Sequence, residues 1–187
     1  MLITISIGGP PASGKTTLMR AFMSSVGPFW AGAKQGLVVY SEYASKKLIV
    51  LGDYSPYVGD FAGTDKLSMA VQPQAVALLK KWSKQNSKDG YAVLLEGDRL
   101  FNSSFIIAVR DLPLVHSYWL VLTTNPNALE ARHKARGDTQ DATWLKGRET
   151  KINNLMSVEG IRTIPHNDRN DTEVAVAVLK ALCGSAS

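Results

Sequence analysis

Gly9, Gly14, Lys15 and Thr16 stand at the spacing G-x-x-x-x-G-K-[ST] inside the stretch "GGPPASGKTT". Glycines let the backbone curl so that successive N–H groups point inward and cradle phosphate oxygens. At this spacing the lysine reaches the β- and γ-phosphates, the Thr16 hydroxyl ligates Mg²⁺, and the helix that follows adds its positive N-terminus. Pro11, Ala12, Ser13 and Thr17 complete the set expected to contact a nucleoside triphosphate, ATP or dATP.

Phosphoryl chemistry also needs a carboxylate near Mg²⁺, usually at the end of a second buried strand. The stretch "AVLLEGDR" supplies Glu96 and Asp98 with Arg99 beside them. If the strand runs on, 96 and 98 face the same side. Glu96 takes the metal-side position, and Asp98 stands as general base or acceptor contact. Asp65 is a third carboxylate, either the cap of a helix or an acceptor-side base. Arg132 and Arg136 lie four apart on one predicted helix face, with Lys146 and Arg148 downstream. Arginines delivered by a mobile flap would stabilise the charge of the transferring phosphoryl group; a solvated face partnered by Glu130 is the other reading.

Other residues carry weaker signals. Asp60 to Gly63 matches D-x-x-G, but no N-K-x-D occurs anywhere, which rules out a guanine-nucleotide switch. His116 and His133 have no metal-binding spacing and read as structural, whereas His166 sits in a loop able to pack on a nucleobase. Tyr40, Tyr43, Tyr54 and Tyr57, with Lys46, Lys47 and Lys66, either line an acceptor surface or complete a small lobe's core. Cys183, the single cysteine, has no disulfide partner within the chain and reads as buried in a last helix.

The elements that must position these groups alternate. Ile3, Ile5 and Ile7 form a strand before the glycine-rich loop, and Leu18, Met19, Phe22 and Val26 recur at helical spacing after it. Apolar runs 37–40 and 48–51 suit a hairpin or a short insertion. A helix kinked or restarted at Pro73 should follow, then strand 91–98, helix 102–112, a strand in "SYWLVLTT", a helix ended by Gly137, helix 141–158, strand 161–164 and a last helix. The pattern is α/β around a mainly parallel sheet, in one domain spanning 1–187. The chain has 187 residues with net charge +5, which suits an anionic partner, and no run long enough to cross a membrane. A reducing cytoplasm, a host's cytoplasm if the source is viral, is the expected compartment.

Order and spacing resemble the P-loop kinases of the nucleoside-monophosphate-kinase type: a P-loop at the N-terminus, "LLEGDR", and "LTTNPNALEARHKARGD". The resemblance implies a P-loop NTPase three-layer sandwich with an acceptor-side insertion at about 28–72 and an arginine-bearing lid at about 132–148. It makes Arg132 and Arg136 lid-side arginines and "IPHNDRND" the loop beside the adenine base. "DRLFNSSF" resembles the Asp-Arg-Tyr segment of thymidylate kinases, with Leu100 replacing the tyrosine. The segment "GDYSPYVGDFAGTDKLSMAVQP" departs from that group and is similar to bacteriophage kinases that phosphorylate 5-hydroxymethyluracil within DNA. That likeness implies DNA as acceptor, held by Tyr54, Asp65, Lys66, Arg99, Lys46 and Lys47; a free deoxynucleoside monophosphate and a nucleic-acid-binding ATPase are the alternatives.

Overall fold

The computed structural model describes residues 1–27, 31–55, 62–85, 90–135 and 142–184. The expected Arg136, Tyr57 and Asp60, and the helix end at Gly137, lie outside the described residues.

A seven-stranded sheet has the order β2-β3-β4-β5-β1-β6-β7. Its strands are β1 (Leu2–Gly8), β2 (Ala31–Gln35), β3 (Val38–Tyr43), β4 (Leu48–Leu51), β5 (Tyr91–Glu96), β6 (Val115–Thr123) and β7 (Ile161–Pro165). β1 is central and parallel to β5 and β6; β4 and β7 extend the parallel run on either side. Among the described strands β2 pairs antiparallel with β3 and β3 with β4, the second pair being the hairpin expected from the close spacing of the two apolar runs. β1 is buried along its whole length, as a strand covered on both faces must be.

One face of the sheet packs on α2 (Val71–Gln85), α3 (Ser103–Arg110) and α5 (Ala142–Met156), around Phe101, Phe105, Trp119, Ile152 and Leu155. The other packs on α1 (Lys15–Val26) and α6 (Arg169–Gly184), around Ile5, Phe22, Ala175 and Leu179. α4 (Pro126–Ala135) buries none of its residues. Among the described residues, no helix is long and apolar enough to cross a membrane.

Local chemistry explains where two helices start. Pro73 does not kink α2; it sits in the first turn, where a missing N–H costs nothing. The Ser68 hydroxyl accepts from the Ala70 N–H just before α2, while Thr64 and Asp65 lie upstream in a 3-10 turn (Thr64–Lys66). The Asn102 side chain caps α3 by accepting from the Phe105 N–H at 3.0 Å.

Candidate active site

The loop between β1 and α1 turns at Gly14, which has φ 90 and opens the helix without a side-chain cap. A side chain there would be strained by that dihedral and would strike the His166 ring, whose Nδ1 lies 2.5 Å from where a Cβ would stand. The Lys15 ammonium arches over the loop and donates to the Gly9 carbonyl at 2.9 Å and the Pro10 carbonyl at 3.0 Å. Thr16, in the first turn of α1, donates its hydroxyl to Glu96 Oε1 at 3.0 Å.

Glu96 ends β5 and is 1% exposed. Burial pushes its pKa up to about 7, with the nearby Asp65 adding to the rise and Lys15 opposing it. A threonine hydroxyl and a carboxylate at this distance are hard oxygen groups suited to Mg²⁺, which keeps waters and phosphate oxygens among its ligands. Among the described residues no group of three or more His, Cys, Asp or Glu could hold a metal ion.

The two acidic residues of "EGDR" do not face the same side. Gly97 has φ 112, a left-handed turn that breaks strand alternation. Glu96 therefore faces α1, while Asp98 reaches α5 and pairs its Oδ2 with Arg148 Nη1 at 3.1 Å. Lys151, one turn along, donates to the Asp98 carbonyl at 3.4 Å.

The 3-10 turn closes the opposite wall. The Thr64 hydroxyl donates to the Glu96 carbonyl at 2.6 Å, an anchor that sequence reasoning missed because its acceptor is a main-chain carbonyl, which leaves no side-chain signal. Asp65 Oδ1 accepts from the Arg99 N–H at 2.9 Å, and Arg99 Nη2 donates to the Asp65 carbonyl at 3.1 Å. Lys66 is exposed on the same turn. Tyr54 comes to this wall too, with its hydroxyl buried against Glu96.

Other expected acceptor contacts lie elsewhere. Lys46 and Lys47 precede β4, at the N-terminal end of the parallel strands. The four residues of β4 put them about 13 Å along the sheet from its catalytic edge. Tyr40 packs edge-on against Trp82 at 5.1 Å, and Tyr43 is buried, so both complete the core.

On the far side of the loop a cavity of about 640 Å³ is lined by Ala12, Gly14, Thr17, Arg132, His166 and Thr172, among others. Arg132 faces this cavity, not Glu96: it donates to the carbonyls of Ala12 at 3.3 Å, His166 at 3.1 Å and Asn167 at 2.7 Å. His166 is 2% exposed, so it braces the loop instead of presenting an open face. Its Nδ1 lies 2.9 Å from the Ser13 carbonyl, which can only accept, so Nδ1 carries the proton and Nε2 meets the Thr172 hydroxyl at 3.0 Å. Burial holds its pKa below the usual histidine value.

A family model described as P-loop Nucleotide Kinase3 matches residues 2–176. Among solved structures, a gluconokinase from Sinorhizobium meliloti 1021 superposes with a TM-score of 0.51 at 11% identity, over 98% of this chain and 97% of that one. A sugar kinase from Janibacter sp. HTCC2649 gives 0.51 at 15% identity, over 100% and 99%. At those identities the likeness shows the fold alone. No curated protein matches the chain.

Proposed function

Because the chain belongs to the P-loop nucleotide kinase family, and is thereby a phosphotransferase, we propose that it moves the γ-phosphate of ATP or dATP onto a hydroxyl of a pyrimidine nucleotide, with the hydroxymethyl group of 5-hydroxymethyluracil in DNA as preferred acceptor. The carrying observation is the 3.0 Å contact between Thr16 and Glu96 beside the Lys15 loop. It puts a metal-organising pair where the β- and γ-phosphates would lie.

When bound, Mg²⁺ neutralises charge on the phosphate oxygens and orients them. The chain's own groups then divide the work. Lys15 exchanges the Gly9 and Pro10 carbonyls for phosphate oxygens. Thr16 and Glu96 would hold the metal on this side of the loop through their side-chain oxygens. Asp65 is the better-placed base: the Arg99 N–H fixes one of its carboxylate oxygens, leaving the other to take the acceptor's proton. The acceptor oxygen then bonds to the γ-phosphorus as the bond to the β–γ bridging oxygen breaks. Arg148, held by Asp98, takes the phosphoryl-stabilising role given from sequence to Arg132.

The preference for a hydroxyl over a second phosphate is supported by the cations of this wall. Arg148 Nη1 pairs with a carboxylate and Arg99 Nη2 with a main-chain carbonyl, so each guanidinium of this wall already spends a donor within the protein. The DNA assignment is supported by Lys66 and Lys151, which flank the cleft on separate elements, and by the net charge of +5. ATP labelled at the γ-phosphate, offered to plain DNA, hydroxymethyluracil DNA and a panel of deoxynucleoside monophosphates, tests the reading. Label is expected in hydroxymethyluracil DNA. Labelled monophosphates with unlabelled DNA would replace it with a free-nucleotide kinase.

A further inference from the structure

Among the described residues, the buried side-chain atoms with no hydrogen-bond partner are Ser6 Oγ, Ser13 Oγ, Tyr54 Oη, Asp98 Oδ1 and Arg99 Nε. Ser6 lies in the central strand and Ser13 in the phosphate loop. The other three gather where residues 54 and 63–65 meet 96–99. A buried polar atom without a partner costs about 1–3 kcal/mol, so such atoms are rare and need a reason.

Tyr54 is the most informative of them. Its backbone follows Asp53, which is locked to Gly63 by two main-chain hydrogen bonds, Asp53 N–H to the Gly63 carbonyl at 3.0 Å and Gly63 N–H to the Asp53 carbonyl at 2.8 Å. The Asp53 carboxylate also accepts from the Ser55 N–H at 3.0 Å, fixing the chain on the other side of Tyr54. The phenol therefore hangs from a rigid neck. Its hydroxyl and the Glu96 carboxylate converge on the space above Gly63: a Cβ at that glycine, which has φ 78, would lie 3.0 Å from the hydroxyl and collide with Glu96 Oε1. Only a residue without a side chain leaves these two groups facing each other.

We infer that Tyr54 is a positioning residue for the metal site, its hydroxyl donating to the Glu96 carboxylate or to the water that carboxylate holds when Mg²⁺–nucleotide is bound. Glu96 already accepts from Thr16 through Oε1. A Thr16 hydroxyl that ligates the metal through a lone pair keeps its proton for Oε1, and the Tyr54 hydroxyl is a second donor facing the same carboxylate across Gly63. Outer donors of this kind orient carboxylates around metals, and their removal typically weakens metal binding by about 10–100-fold. The inference rests on the proposed nucleotide site but not on the identity of the acceptor.

Tyr54→Phe separates this role from a structural one. The ring stays and only an unpartnered hydroxyl goes, so the nucleotide-free protein should melt no lower than wild type. Mn²⁺ binding in the presence of ADP, followed by electron paramagnetic resonance, should weaken about tenfold in the variant, while ADP binding in EDTA stays unchanged. Unchanged Mn²⁺ affinity in Tyr54→Phe, with wild-type binding intact, overturns the role of Tyr54 alone. A lowered melting temperature with equal loss of ADP binding in EDTA overturns it as well, by making the hydroxyl structural. Wild-type protein that binds no Mn²⁺–ADP overturns the nucleotide site and this inference together, and transfer to a different acceptor touches neither.

Discussion

The Thr16 hydroxyl reaches Glu96 Oε1 at 3.0 Å, tying the first turn of α1 to the last residue of β5 across the phosphate loop. The carboxylate at this junction is buried, and burial raises its pKa from the usual 4.5 to about 7. The folded chain therefore holds that proton more tightly than the unfolded chain does. The contribution to stability is fully present below about pH 4.5 and is lost as the pH rises through 7, to a total of about 3 kcal/mol for a shift of this size. In EDTA, the melting temperature should fall over that window, and Glu96→Gln should flatten the slope while lowering kcat by about two to four orders of magnitude. A variant with the same slope as wild type would remove Glu96 as its source.

Arg132→Ala should weaken nucleotide binding more than turnover. Its guanidinium joins the phosphate loop to residues 166 and 167 and faces the cavity beside them. Losing hydrogen bonds from a charged group costs about 1.5–3 kcal/mol, roughly ten- to a hundredfold in Kd. Isothermal calorimetry with ADP and kcat at saturating ATP check this. A loss confined to kcat would return the residue to the transferring phosphate.

His166 should titrate below pH 6.5. Its pKa is lowered by burial, with the Arg132 charge adding to the effect and the Ser13 carbonyl opposing it. A depressed value means that the neutral ring is the folded form; stability from this bracket is present above the unfolded pKa and lost as the pH falls through it. The Cε1 proton of His166, followed by NMR, gives the midpoint directly, and a value above 6.5 would contradict the buried bracket.

The lysines should separate by position. Lys46→Ala/Lys47→Ala, at the far end of β4, should leave the acceptor KM within about twofold of wild type. Lys66→Ala/Lys151→Ala, flanking the cleft, should raise it and make its salt dependence shallower, since each lost phosphate contact removes close to one unit from the salt slope. The opposite ranking would move the acceptor to the other pole of the sheet.

The order of elements was legible because it follows from burial: β1 sets Ile3, Ile5 and Ile7 at alternate positions before the loop, α1 keeps helical spacing, and the loop between them has a motif with one geometry. Around Glu96 the carboxylate's identity was legible, but its neighbours were not. Strand alternation predicts that 96 and 98 point alike; a single left-handed glycine between them reverses that, and Gly97 gives no sign of its dihedral in a sequence. Lys46 and Lys47 are near in number to the acceptor segment yet far in space, because their distance depends on which end of β4 they precede. Arg132 was located on the correct helix, and its partners, three main-chain carbonyls, leave no mark in side-chain patterns.

The turn at Gly97 has a consequence for how such a protein can change. With Glu96 sent to α1 and Asp98 to α5, two carboxylates two residues apart answer to different helices, and on the proposed reading to different substrates. On that reading, substitutions on α5 would reshape the acceptor side through Asp98, while the α1 contacts of Glu96 are left alone. Straightening the turn would couple the two halves, so that altering one substrate's site would disturb the other's. A one-residue reversal of direction thus makes the two specificities separately adjustable.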